Sequence, residues 1–230
     1  MASQLTGTLA NFIVRIRRYV GEEDADKSFW SDDLVKQVFN SCYRRRSAEL
    51  IMAFEGYFTV VATRDTVSNQ ERYAWPSDFE RLFKMEIVRA NGSTVPIQRQ
   101  ERHYAGKPSP VAGGDSYLPT YRSIGSGFVL EPAPLEGTAG QLRMEYAVTP
   151  TELTVDDDEL HSDFPTMLDE ILVLDCAVTL FDTEQTQEEG RLRSVLRLRA
   201  EWELTWERFI DNRMISSNKV TPFQTHYRDS

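Results

Sequence analysis

The sequence predicts an α+β protein in which N- and C-terminal helices form one helical bundle with an inserted antiparallel β domain and an extended C-terminal tail. Three observations carry this. Apolar residues recur at helical spacing near both chain ends. From Gly56 to Thr149 the texture changes to short alternating or β-branched runs separated by turn signals. Helical spacing then returns after an acidic stretch, "TELTVDDDELHSDFP". The expected divisions are 1–55 for the first helices, 56–150 for the β insertion, 151–215 for a linker and the last helices, and 216–230 for a C-terminal arm.

The first helix is expected from Gln4 to Val20, on a stripe of Leu5, Leu9, Phe12, Ile13, Ile16 and Val20, with Gly21 ending it. After the charged "GEEDADKS", Ser31 reads as an N-cap, with Asp32 and Asp33 in the first turn, where the helix dipole favours acids. Trp30 and Val35 are placed for a hydrophobic staple. Val35, Val38, Phe39 and Cys42 carry the stripe towards about Phe54.

Within the insertion, "YFTVVATRD", "RYAWP", "FKMEIVRA", "VPIQRQ", "GFVLEP" and "QLRMEYAV" read as strands. Asn91-Gly92 between two of them is a hairpin signal, because a tight two-residue turn needs positive φ. Leu142, Met144, Tyr146 and Val148 alternate onto one strand face. Ala105 to Gly127 holds five glycines and three prolines, which predicts a long exposed loop.

Beyond the acidic stretch, Ser162 or Asp163 is expected to cap a helix opening at Phe164-Pro165. Its apolar run, "ILVLDCAVTLF", is interrupted by Asp175 and is too short to span a bilayer. Leu192, Val195, Leu196, Trp202, Trp206, Phe209 and Ile210 mark a further helix, with Arg191, Arg193, Arg197, Glu201 and Glu207 on its other face. The last fifteen residues read as a polar tail.

The chain of 230 residues is 40% hydrophobic and 11% aromatic, enough to build a packed core. A net charge of -10 and a pI near 4.9 argue against a protein whose main task is gripping phosphates. The first residues lack the basic start and apolar core of a signal peptide. Cys42 and Cys176 both sit in apolar periodic positions, as buried thiols do in a reducing compartment.

No catalytic residue, cofactor or metal ligand is assigned. There is no G-x-S-x-G; Ser126 lies in a shorter "GSG". Gly106-Lys107-Pro108-Ser109 imitates a phosphate loop, but Glu101 stands where its first glycine belongs and Pro108 where a magnesium-binding hydroxyl belongs. In the acidic stretch, His161 alone cannot make a zinc site. Asp156, Asp158 and Glu159 lack the glycine and ligand alternation of a calcium loop. A solvated loop is the plainer reading, with cation binding or a metal-dependent nuclease as the alternatives.

Two basic clusters stand out, Arg15, Arg17 and Arg18 in "RIRR" and Arg44, Arg45 and Arg46. They fit either a solvated helix face with ion pairs or subunit contacts, with Arg15, Arg18, Arg44, Arg45 and Arg46 as the contact candidates. In the tail, Lys219, Val220, Phe223 and Tyr227 are possible anchors of an arm that orders on a partner; the plainer alternative is a disordered end.

Several stretches together resemble the head-to-tail adaptor, or connector, proteins of tailed bacteriophages. They are "FWSDDLVKQVFNSCYRR", "YAWPSDFERLFKMEIVRANGSTVPIQRQERH" and "YRSIGSGFVLEPAPLEGTAGQLRMEYAVTPTELTVDDDELHSDFP", followed by the C-terminal helix pair. The likeness rests on order and spacing from about Phe29 to Asn212.

That resemblance implies a structural virion protein and no enzyme: a homo-oligomeric ring, commonly a dodecamer, in the neck beneath the portal. Such a ring extends the DNA channel and offers a docking surface to the next neck or tail protein. The arm, Ser216 to Ser230, would reach the portal. The long loop or the β domain could face the periphery or the next tail component. Net acidity suits a channel that encloses DNA without sequence-specific binding, since strong phosphate contacts would arrest sliding. A stopper or tail-tube protein is the alternative within the same particle.

Overall fold

The computed structural model describes residues 7–22, 29–89, 91–100, 120–134, 141–183 and 189–217. The chain divides into two compact units, Met1–Tyr57 with Pro150–Ser230, and Phe58–Thr149. The architecture is α+β.

In the first unit, α1 (Leu9–Val20) buries Leu9, Phe12, Ile13, Ile16 and Val20, the spacing of one helical face. Gly21 ends it at φ 84°, donating to the Arg17 and Arg18 carbonyls, a left-handed cap that glycine adopts without a Cβ penalty. α2 (Asp32–Ala53) begins as the sequence predicts: Ser31 Oγ accepts the Leu34 N–H at 3.3 Å, and Asp32 and Asp33 occupy the first turn. Trp30 is buried edge-on against Phe181, with ring centroids 6.2 Å apart.

α3 (Asp169–Thr183) buries every residue from Ile171 to Ala177 together with Leu180 and Phe181, as a helix enclosed on all sides should. It packs against α1, α2 and α4 (Glu189–Ser217). Cys42 and Cys176 are buried thiols without a disulfide. The helix opens later than expected: Pro165, not Ser162 or Asp163, holds the N-cap position, without a side-chain cap, and a single 3-10 turn over Thr166–Leu168 leads directly into α3. The Asp163 N–H donates to His161 Nδ1 at 3.2 Å.

α4 is longer than its apolar stripe suggests, 29 residues or roughly 43 Å at 1.5 Å per residue. It includes Ser216 and Ser217, which the sequence assigns to the tail. Aromatic pairs tie the helices together: Phe12 on Phe39, Tyr43 on Phe164, Phe164 on Trp206, and Phe54 on Phe209.

The second unit holds two four-stranded sheets. In one, β1 (Thr59–Arg64), β8 (Leu142–Val148), β3 (Phe79–Val88) and β4 (Thr94–Pro96) lie in that order, all antiparallel. In the other the order is β2 (Arg72–Ala74), β7 (Gly127–Glu131), β6 (Thr120–Ile124) and β5 (Gln98–Arg99). Leu142, Met144, Tyr146 and Val148 are buried, as their alternation predicts. The hairpin expected at Asn91-Gly92 is present, since β3 pairs with β4 across it, but it is not a two-residue turn. The Arg89 N–H donates to Ser93 O, three residues lie between them, and of the Asn91-Gly92 pair only Gly92, at φ 80° and donating to Arg89 O, takes the left-handed conformation.

Two expectations change here. The β6 strand falls inside the stretch read as a loop, where glycine and proline masked a short "TYRSI" run. The β5–β6 pair is parallel, so this unit is antiparallel except at one edge. Tyr73 stacks on Phe128, and Trp75 lies 4.2 Å from Phe79 and 4.5 Å from Phe128, so aromatic rings join the two sheets.

Candidate functional site

The Arg44–Arg46 cluster meets a charge that the apolar run of α3 conceals. Asp175 is fully enclosed, with 0% of its side chain exposed, and it receives three arginines. Arg46 Nε and Arg45 reach Oδ2, each at 2.8 Å, and Arg199 Nε reaches Oδ1 at 2.6 Å. Arg46 also holds Glu203 of α4 through both terminal nitrogens, at 3.0 and 2.6 Å, and Glu49 at 3.0 Å. Its guanidinium lies 5.0 Å from the Trp206 ring centre. The node therefore links α2, α3 and α4 with Arg45, Arg46 and Arg199 balanced by Asp175, Glu203 and Glu49. Burial opposes ionisation of Asp175, but hydrogen bonds from Arg46 and Arg199 and the nearby arginine charges outweigh it, so its carboxyl lies below the ordinary value.

The other predicted arginines are placed differently. Arg15 pairs with Asp169 at 3.0 Å and with Glu170, joining α1 to the first turn of α3. Arg44, more than half exposed, meets Glu152. Arg18 is exposed. Arg17 is buried and binds Glu22, Asp32 and the Trp30 carbonyl, holding the entry to α2 against α1.

The acidic stretch has a structural task that residue types alone do not disclose. Its backbone carbonyls cap α1: the Leu9 N–H donates to Asp158 O at 2.8 Å and the Ala10 N–H to Asp156 O at 3.0 Å. Thr8 bridges Glu159. The Asp158 carboxylate accepts the Thr154 and Val155 N–H groups at 2.6 and 2.8 Å, which shapes the loop and lowers its pKa. Lys36 anchors Asp156 at 2.9 Å, and Asn40 holds Leu153 at both its N–H and its carbonyl. Among the described residues, no three His, Cys, Asp or Glu side chains are grouped to hold a metal ion.

An open cleft of about 600 Å³ lies between the ends of α2 and α4. Met52, Ala53, Trp206 and Ile210 supply apolar surface, and Glu49, Glu203, Glu207 and Asp211 supply carboxylates. Neither the Asp175 node nor this cleft is marked by a motif. A lone Asp in an otherwise apolar helix was the available signal for the node, since such a charge needs partners. The arm candidates Lys219, Val220, Phe223 and Tyr227 lie outside the described residues, as does the loop from 105 to 119.

The polar clusters of the helical unit act as scaffold: they cap helices, pair charges and fix helix packing, and in chain order the β unit lies between α2 and α3. The sequence model of a family described as SU10 adaptor protein matches residues 7–222. The chain belongs to that family, and the resemblance to phage head-to-tail adaptors holds. No curated protein matches it. No helix among the described residues is long and apolar enough to cross a membrane.

Proposed function

We propose that this protein is a structural, non-enzymatic component of a phage neck: a head-to-tail adaptor that forms a ring beneath the portal. The observation that carries this reading is the family match over nearly the whole chain, residues 7–222. In this reading the ring, a dodecamer in such assemblies, extends the DNA channel and receives the next neck or tail protein. Exposed Arg18, Arg44 and Arg45 are candidate contacts to neighbouring copies, Arg45 while also paired with Asp175; Arg15 and Arg46 support the interface from within through their own ion pairs. The net charge of -10 supports a conduit that does not hold DNA. Lys219, Val220, Phe223 and Tyr227 form the arm that grips the portal.

The test pairs the full chain, and a chain ending at Ser217, with purified portal particles, read by electron microscopy and co-sedimentation. The full chain is expected to add a ring at the portal's outer face, and the shortened one to stay in solution with its fold intact. A full chain that adds no ring overturns the adaptor reading. A shortened chain that attaches normally overturns the arm assignment alone.

A further inference from the structure

The outward face of α4 carries a second periodicity. Arg193, Arg197, Ala200, Leu204, Glu207 and Asp211 step by four, three, four, three and four residues, the spacing of a coiled-coil seam. At 100° per residue these positions fall within an arc of about 80°. All six are exposed: Arg193 and Arg197 show 79% and 83% of their side chains to solvent, and Leu204 is 54% exposed. The inward stripe, through Val195 and Trp206, lies on the other side of the helix.

The charge order along this seam reverses about its middle. Two arginines come first, then Ala200 and Leu204, then two acids. Laid antiparallel on a copy of itself about position 202, the seam places Arg193 against Asp211, Arg197 against Glu207, and Ala200 against Leu204. Every layer is complementary, and each occurs twice. A parallel arrangement in register would instead set arginine on arginine and acid on acid. The acids also edge the cleft whose apolar surface is Met52, Trp206 and Ile210, and Met52 is 76% exposed. An arginine reaching Glu207 and Asp211 there can lay its aliphatic stem on that surface.

We propose that the free protein pairs with a second copy of itself through this seam, as an antiparallel α4–α4 dimer. A face that is its own complement fits a two-fold contact, in which the same patch serves both partners. The local pairs Arg193–Glu189 and Arg197–Glu201, at 2.9 and 3.4 Å, are both exposed, so exchanging them for contacts across the dimer costs little. The contact is closed: two copies satisfy both patches and nothing propagates, which restrains self-assembly of the free chain.

Sedimentation velocity on the full chain tests this without a portal, so its outcome is separate from that of the ring reading. The wild type is expected to dimerise at low ionic strength and to weaken by roughly ten-fold or more in about 0.5 M salt, where exposed charges are screened. R193E/R197E makes the seam all acidic and E207R/D211R makes it all basic, so each alone should be monomeric. Mixed, the two should form a heterodimer, which also proves that both are folded. A wild type that stays monomeric, variants that dimerise like the wild type, or a mixture that fails to pair each overturn the proposal.

Discussion

Arg46 donates its Nε–H to Asp175 Oδ2 at 2.8 Å, and both side chains are sealed from water, 3% and 0% exposed. The pair crosses from α2 to α3, and Glu203 on the same guanidinium brings in α4. Breaking one side of a buried pair costs more than the pair is worth, because the remaining charge stays buried. Asp175→Asn is therefore expected to lower stability by about 3–5 kcal/mol in denaturant unfolding. A loss below about 1 kcal/mol, the range of exposed pairs, would mean that water reaches the node.

The same carboxyl sets a pH dependence. Its folded pKa lies below the usual aspartate value, so the unfolded chain binds the proton more readily. The stabilisation is full above the unfolded value of about 3.9 and is lost as pH falls through the lower folded value. The gap in urea midpoints between the wild type and Asp175→Asn should therefore hold from neutral pH down to about 4 and narrow as the pH falls further, since the unfolded chain then takes up a proton that the folded carboxyl resists. A gap that stays constant to the acid end would assign the effect of the substitution to packing rather than charge.

Helix existence was legible because periodicity reports burial directly. Ser31 capping α2, Gly21 closing α1 and Gly92 turning the chain between β3 and β4 were equally legible, because each depends on the residue's own geometry. What the sequence left unread depends on partners distant along the chain. Arg46 and Asp175 are 129 positions apart, and nothing local announces that they meet. In the sequence the acids of the 156–159 stretch read as carboxylates, whereas in the fold the backbone carbonyls of Asp156 and Asp158 cap α1. The β6 strand was missed because its parallel partner, β5, is only two residues long and precedes it by some twenty positions.

Gly127 opens β7 opposite Ala74, and a Cβ there would lie 2.3 Å from the Tyr73 carbonyl oxygen. Backbone atoms cannot step aside as a side-chain tip can. Gly127→Val should force β2 from β7, disturb the Tyr73–Phe128 stack and cost about 1–3 kcal/mol, the range for overpacking. Thermal unfolding followed by near-ultraviolet circular dichroism reads both effects. An unchanged aromatic signal and midpoint would mean that the strands separate without penalty.

The loop that caps α1 offers a sharper test, because neighbouring acids in it have different tasks. Asp158 accepts two backbone N–H groups with its carboxylate and one from Leu9 with its carbonyl, whereas Asp157 is an exposed side chain beside it. Removing the Asp158 carboxylate should loosen the turn that aims the carbonyls at the helix start. Hydrogen exchange at the Leu9 and Ala10 amides is expected to quicken by roughly five-fold in Asp158→Ala, as the loss of a capping interaction does. Asp158→Asn keeps a side-chain acceptor and should retain most of the protection. Asp157→Ala should change nothing at those amides. Equal quickening in the Asp157 and Asp158 variants would point to a general effect of negative charge near the helix dipole, and the capping geometry would then not be what holds the start of α1.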